Sequence, residues 1–436
     1  MKKVYIETYG CQMNVADSEV VASILSDSYT VTRQQQEADL FLMNTCSVRD
    51  HAEQRIRKRL RELSSLKKKN PEIIIGLLGC MAERIKEVLL DEEPALDFIA
   101  GPDAYRSIPQ LIAKSISGKN AFDVLLSTEE TYEDIAPVRY DGNGISAFIS
   151  IMRGCNNFCS YCVVPYTRGR ERSRNPKSIL REIGELINQG YKEVTLLGQN
   201  VNSYRWEEHE EIIDFAGLIE KVALLSPLLR VRFATSHPKD ISDELISTIA
   251  KYENICNYIH LPVQAGSNHM LKKMNRVYTR EYYLERIKTV KTLIPDCSIS
   301  TDIIVGFCGE TEEDHQATLS LMEEVGYSSA YMFKYSVREG TKAAAHFEDD
   351  VPPEVKARRF DEVLALQQKL ALESNEKDIG KTFTVLSEGV SKRSETQLFG
   401  RNSQNKVIVF PKNDHQIGEY VTVTVTRCTP ATLIAD

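Results

Sequence analysis

The 436-residue sequence has no apolar run long enough to cross a membrane. Its opening, Met-Lys-Lys-Val-Tyr-Ile-Glu-Thr-Tyr-Gly, has no apolar core of the secretory-signal kind. Both absences point away from the membrane and towards a cytoplasmic protein. In that reducing setting the ten cysteines read as metal ligands rather than as disulfides. A positive excess is missing too, since the formal net charge is −8, which argues against indiscriminate nucleic-acid binding. Hydrophobic content of 42% and charged content of 27% are ordinary for a globular protein. The length calls for two to four domains.

One absence is local. Cys155, Cys159 and Cys162 form a Cys-x-x-x-Cys-x-x-Cys triplet, and no fourth cysteine or histidine follows close by. A structural zinc site needs that fourth ligand. Three thiolates in one short loop can instead grip three irons of a cubane [4Fe–4S] cluster. The fourth iron then stays open to a ligand that is not protein, which marks a site built to react.

Residues 1–117 alternate short apolar strands (Lys3–Thr8, Leu40–Asn44, Glu72–Leu77) with helical patterns such as Asp17–Leu25 and Ala52–Leu66. This rhythm predicts a doubly wound parallel α/β domain. Each strand runs into a cysteine, Cys11, Cys46 or Cys80, at spacings of 35 and 34 residues, close to one βα unit. Ligands of such sheets sit at the carboxyl ends of the strands. The three thiols are therefore expected to converge on one edge as a second three-cysteine iron–sulfur site. A single one of them would read as an ordinary buried cysteine.

Residues 118–145, rich in acidic and turn residues, read as a linker. Residues 146–375 repeat the βα rhythm with six strands: Phe148–Met152, Glu193–Leu197, Val231–Thr235, Tyr258–Leu261, Ser298–Val305 and Ala330–Tyr335. The helical stretches between them are Lys177–Gln189, Ile212–Leu225, Ser242–Tyr252, Arg280–Leu293 and Glu312–Val325. Six strands suit a partial (β/α)6, TIM-like barrel, whose chemistry lies at the C-terminal mouth. The cysteine triplet follows the first strand and so belongs to that mouth. Gln199, Asn200, Ser236, Gln264 and Asp302 follow other strands and form a candidate pocket for a small polar cofactor. His237 and His260 are read as supporting residues rather than metal ligands.

Residues 376–436 switch to short β runs, predicting a small antiparallel, OB-like β-barrel of the kind used for oligonucleotides. Phe399, Arg401 and Lys406 offer a stacking ring and cations there. Two basic runs stand out in the acidic chain. Residues 49–69 carry nine Lys/Arg against three acids, and residues 153–177 carry six against one. The second run, with Arg168, Arg170 and Arg174 directly after the triplet, points to a polyanionic substrate. A solvated helix face is the competing reading of the first.

An open iron can bind the amino and carboxylate groups of a methionine-like ligand, and S-adenosylmethionine suits that role. A second open cluster could carry an added sulfur atom. Together the two sites suggest insertion of sulfur at a C–H bond. The motifs then become familiar. Arg-Gly-Cys-Asn-Asn-Phe-Cys-Ser-Tyr-Cys (153–162) resembles the radical-SAM signature. Thr-Tyr-Gly-Cys-Gln-Met-Asn (8–14), Asn-Thr-Cys-Ser-Val-Arg (44–49), Leu-Gly-Cys-Met-Ala (78–82) and His-Leu-Pro-Val-Gln-Ala-Gly-Ser (260–267) resemble the radical-SAM methylthiotransferase family. The likeness covers essentially the whole chain, and Val163–Gly169 is similar to its tRNA-modifying branch.

The resemblance implies two [4Fe–4S] clusters, an auxiliary one on Cys11, Cys46 and Cys80 and a radical-generating one on Cys155, Cys159 and Cys162. It implies methylthiolation at adenine C2 of a prenylated adenosine in the tRNA anticodon stem-loop. S-adenosylmethionine would serve once as methyl donor and once as source of a 5′-deoxyadenosyl radical. A reducing partner such as flavodoxin or ferredoxin is implied, and the C-terminal domain resembles the RNA-binding TRAM domain. The same chemistry on threonylcarbamoyl-adenosine or on a ribosomal-protein aspartate stays open here, as does a non-catalytic iron–sulfur RNA sensor. Cys308, Val337 and Lys342 stand where the family usually has proline, which affects local loop shape and not the ligands.

Overall fold

The computed structural model describes residues 1–46, 50–86, 88–209 and 211–436. The Ser47-Val48-Arg49 end of one N-terminal motif lies outside them. The first domain is one parallel sheet of six strands: β1 (Lys2–Thr8), β2 (Tyr29–Val31), β3 (Leu40–Thr45), β4 (Ile74–Gly79), β5 (Phe98–Ala100) and β6 (Ala121–Asp123). Their order across the sheet is β2-β1-β3-β4-β5-β6. The helices are α1 (Gln12–Ile24), α2 (Asp50–Lys69), α3 (Cys80–Ile85), α4 (Val88–Glu92) and α5 (Ile108–Ile116).

Every residue of β3 and β4 is buried, as a sheet covered on both faces requires. Alternation along the strands sorts them. Leu40, Leu42, Ile74 and Leu78 join a core with Val20, Val21 and Leu111 of α1 and α5. Phe41, Met43, Ile75 and Leu77 face the other way, onto Ile56, Leu60 and Leu63 of α2. The doubly wound α/β expectation holds. The linker reading does not hold throughout, because β6 closes the sheet edge on β5 and Tyr132 is buried, its hydroxyl donating to Pro102 O at 3.0 Å. Residues 118–145 therefore form a strap bound to the first domain and, through Arg172 donating to Ser127 O and Glu130 O, to the chain that follows it.

The central domain contains β7 (Ser146–Ser150), a short ribbon of β8 (Met152–Arg153) with β9 (Arg172–Ser173), β10 (Glu193–Leu197), a hairpin of β11 (Arg205–Glu208) with β12 (Glu211–Asp214), β13 (Arg230–Ala234), β14 (Tyr258–His260), β15 (Ser298–Val305) and β16 (Ser329–Lys334). Strands β7, β10 and β13 pair in parallel, as do β14, β15 and β16. An isolated parallel bridge, Val231 to Ile255, joins the two halves. The result is the open six-stranded barrel anticipated from sequence. Its helices are α6 (Val164–Thr167), α7 (Pro176–Asn188), α8 (Phe215–Ala223), α9 (Asp243–Lys251), α10 (Asn268–Lys273), α11 (Arg280–Leu293), α12 (Glu312–Val325), α13 (Lys342–His346) and α14 (Pro353–Glu376). The helix expected from Ile212 begins only at Phe215, where Asp214 caps it by accepting from Gly217 N, because residues 211–214 pair in the hairpin.

The last domain is a closed barrel of β17 (Thr382–Val390), β18 (Gln397–Arg401), β19 (Val407–Pro411), β20 (Tyr420–Cys428) and β21 (Leu433–Ala435). All pairs are antiparallel except β19 with β21. It is seated on the N-terminal ends of the central strands. Arg230 donates to Arg401 O and Thr384 O, and Arg232 donates to Asn402 O. Among the described residues, no helix is long and apolar enough to cross a membrane.

Candidate cluster sites at the barrel mouth

Strands β1, β3 and β4 are neighbours in the sheet, so Cys11, Cys46 and Cys80 follow three adjacent strand ends. Cys11 caps α1, and Cys80 is the first residue of α3. Two glycines make the approach close. At Gly10 (φ +111°) a Cβ would overlap Cys46 Cβ, and at Gly79 (φ +89°) it would overlap the carbonyl of Thr45. Only a residue without Cβ fits either place. Cys46 and Cys80 are buried and Cys11 is exposed.

The second trio lies in the loop between β8 and α6. Gly154 (φ +78°) takes the chain past Arg170, whose carbonyl would collide with any side chain there, and Cys155 N donates to Gly169 O. Cys155 and Cys159 are buried and Cys162 is half-buried. Burial pushes the Cys155 thiol up to about 11 and raises Cys162 and Cys80 as well. Thiols in such dry surroundings become thiolates when a bound cation replaces the proton.

The trios fit a cluster better than a lone ion. Sulfurs around one zinc lie about 3.8 Å apart for Zn–S bonds of about 2.3 Å. Among the described residues, the only three His, Cys, Asp or Glu ligand atoms all within 4.8 Å of one another belong to Glu312, His315 and Glu362. Arg358 already bridges those two glutamates. Neither cysteine trio closes to single-ion spacing, whereas sulfurs on three different irons stand farther apart.

The central domain reaches both trios. Arg276, between α10 and α11, is buried and donates from Nη1 to Cys159 Sγ at 3.3 Å, from Nη2 to Pro262 O at 2.7 Å and from Nε to Tyr278 Oη at 2.9 Å. Helix α6, directly after Cys162, packs against α3, which starts at Cys80. Helix α1 packs Met13 and Ala16 against Leu197 at the end of β10. The carboxyl ends of the first sheet therefore face the C-terminal mouth of the barrel, and both trios open there.

Around the mouth, Asn200 donates to Asp240 Oδ2 at 2.7 Å while its Oδ1 has no partner. Gln199 Oε1 and Ser236 Oγ are likewise buried without a partner. Three unsatisfied polar atoms at the ends of two adjacent strands fit a polar guest. Gln264 has φ +76° and forms an isolated bridge with Ile303. Asp302 lies within β15 rather than after it, with Oδ1 3.5 Å from His260 Nε2. His237 accepts from Lys239 N, and burial followed by the Arg276 and Lys239 charges depresses its pKa to about 2, so it stays neutral.

The basic run after the triplet needs correction. Arg168 is 3% and Arg174 6% exposed. Arg168 binds Asp17 and Asn14 at 2.8 Å each, and Arg174 binds Glu182 at 2.5 Å. Both are structural ion-pair partners and out of reach of RNA. Arg170 is exposed over the Phe158 ring at 4.7 Å. In the last domain Lys406 is also spent internally, on Asp378 at 2.6 Å and Ser374 O. Arg401 pairs with Glu388 at 2.6 Å, and Phe399 is half-buried. Sequence reasoning missed Arg276, which holds Cys159, and Asp17, which holds Arg168.

Models of known families match three parts of the chain: "Uncharacterized protein family UPF0004" over residues 3–101, "Radical SAM superfamily" over 149–322 and "TRAM domain" over 376–436. A tRNA-2-methylthio-N(6)-dimethylallyladenosine synthase of Bacteroides thetaiotaomicron is 58% identical over 434 residues, covering 99% of this chain and 95% of that protein. The chain belongs to this synthase family. A synthase of the same name from Porphyromonas gingivalis is 56% identical over 439 residues, covering 100% and 95%. Among solved structures, the radical S-adenosylmethionine methyltransferase TsrM of Kitasatospora setae aligns over 79% of this chain and 74% of its own, with TM-score 0.58 and 13% identity. The cobalamin-dependent radical enzyme OxsB covers 98% and 65%, with TM-score 0.54 and 10% identity. At these identities the likeness concerns the fold alone.

Proposed function

We propose that the chain is a tRNA methylthiotransferase acting at adenine C2 of N6-dimethylallyladenosine beside the anticodon. The observation that carries this reading is the packing that brings two three-thiol sites to one mouth, Met13 and Ala16 of α1 against Leu197 at the end of β10, and α3, which starts at Cys80, against α6, which follows Cys162. Cys11, Cys46 and Cys80 would hold the auxiliary [4Fe–4S] cluster, and Cys155, Cys159 and Cys162 the radical-generating one. When bound, the clusters and S-adenosylmethionine supply sulfur, a methyl group and a carbon radical able to take hydrogen from C2.

The chain's own residues bind, orient and shield. Asn200, Gln199 and Ser236 offer buried polar atoms for S-adenosylmethionine, with Gln264 and Asp302 on the adjoining strands. Arg276 fixes the Cys159 side chain by a charge-assisted hydrogen bond. The barrel walls keep water from a reactive carbon radical. For the anticodon arm, exposed Arg170, half-buried Phe399 and Arg401, whose side chain stays accessible beside Glu388, are the proposed contacts. Arg55, Lys58 and Arg61 add cations on the exposed face of α2, with Arg55 stacked over Tyr9 at 5.4 Å near Cys11. A low-potential protein donor would supply electrons, and the site of action would be the cytoplasm.

Mass spectrometry of nucleosides from a strain lacking the gene tests the substrate. The methylthiolated, prenylated adenosine should disappear and its non-thiolated precursor accumulate. Unchanged levels would refute this substrate, and loss of a methylthiolated threonylcarbamoyl-adenosine would reassign it.

A further inference from the structure

Arg168 belongs by sequence to the central domain, six residues beyond Cys162, yet its side chain is buried in the first domain. Nη2 donates to Asn14 Oδ1 and to Asp17 Oδ2, both at 2.8 Å. Asn14 Oδ1 in turn accepts from Cys11 Sγ at 3.8 Å. Helix α6, which ends at Thr167, packs against α3, which starts at Cys80. Nη1 is buried and has no hydrogen-bond partner within the chain. The Asp17 carboxylate does not account for Arg168 alone, because it also binds Arg153 Nη1 at 2.7 Å. Asp103 pairs in turn with Arg153 at 3.6 Å and with Arg172 at 2.8 Å, so two buried carboxylates face three guanidinium groups, and Arg168 is the cation of that network held on the Cys11 loop.

We propose that Arg168 is a positioning residue for the auxiliary cluster, donating its free Nη1–H to sulfur at the Cys80 side and holding the Cys11 loop through Asn14. The inference rests on the reading that Cys11, Cys46 and Cys80 hold a cluster. Hydrogen bonds and charge near cluster sulfurs set reduction potential. A buried cation favours the reduced, more negative cluster. Since the cation arrives from the other domain, the potential of the auxiliary site depends on domain docking.

The test uses the full chain with Cys155, Cys159 and Cys162 all changed to Ala, so that only the first trio can load. After anaerobic reconstitution, the midpoint potential is read by electron paramagnetic resonance in a redox titration. Arg168→Gln should lower the ratio of reduced to oxidised cluster at fixed potential about tenfold, about 59 mV for one electron. Arg168→Lys, which keeps the charge but loses the fork, should shift it less. Unchanged potentials in both variants would overturn the inference. If Gln or Lys prevents loading, the complementary chain with Cys11, Cys46 and Cys80 changed to Ala decides. Normal iron and potential there support an auxiliary-specific role, and loss of iron there too marks a general structural defect and overturns it. A first-trio chain that takes up no iron with Arg168 intact would overturn the cluster assignment itself.

Discussion

Arg276 Nη1 donates to Cys159 Sγ across 3.3 Å, and its other two nitrogens are held by Pro262 O and Tyr278 Oη. All three directions of the guanidinium are therefore used, with one of them on a proposed iron ligand. Arg276→Lys cannot reproduce this fork. It should lower 5′-deoxyadenosine formation or iron affinity at the second trio by about 10- to 100-fold. Iron on the first trio should be retained. Single-turnover S-adenosylmethionine cleavage with parallel iron analysis is the measurement.

Asp17 is fully buried between Arg153 and Arg168. Burial alone would raise its pKa, but the two guanidinium groups outweigh it and hold the carboxyl below its ordinary value. Asp17→Asn removes the only full negative charge binding both, and should cost about 3–5 kcal/mol in denaturant unfolding. With a depressed folded-state pKa, the ion-pair stabilisation is complete above the ordinary carboxylate range. It is lost as pH falls through the folded value. On acidification below about 4, the wild type should therefore lose stability more steeply than Asp17→Asn.

Arg232 pairs with Glu193 at 2.8 Å and also donates to Asn402 O in the last domain. Arg232→Met leaves Glu193 buried without its cation and releases the Asn402 carbonyl. The expected cost is about 3–5 kcal/mol, with faster proteolysis between residues 376 and 382. Limited digestion of folded protein reads it. Unchanged cleavage would mean that the seat depends instead on Arg230 and on Tyr420, whose hydroxyl donates to Lys192 O and Leu228 O at 3.0 Å each.

These arginines also show what was legible in the sequence. The six barrel strands could be read because each is a short apolar run bounded by turn residues, and β10 and β15 fall where the pattern places them. The three strand-end cysteines were legible because βα units repeat at near-constant length. The partner of Arg168 was not. Asp17 lies 151 residues before Arg168, and a run of charges looks solvated until distant carboxylates fold onto it. Strands β2, β5 and β6 are three residues each, too short to carry a period. Their pairing comes from the neighbouring strands of the sheet.

Gly10 offers a local test of the first trio. Any Cβ there meets Cys46, and φ is +111°. Gly10→Ala should halve bound iron through loss at the auxiliary site while leaving S-adenosylmethionine cleavage intact. Iron counting and 5′-deoxyadenosine yield on the same sample separate those effects.

The central claim is that the two trios divide the reaction, one generating the radical and the other delivering sulfur. The most direct measurement is mass spectrometry of reactions of Cys46→Ala and Cys159→Ala enzymes, reconstituted anaerobically, with reductant, S-adenosylmethionine and prenylated tRNA. Cys46→Ala should still form 5′-deoxyadenosine but give no methylthiolated nucleoside, and Cys159→Ala should give neither. A Cys46→Ala enzyme with full methylthio product would contradict the account.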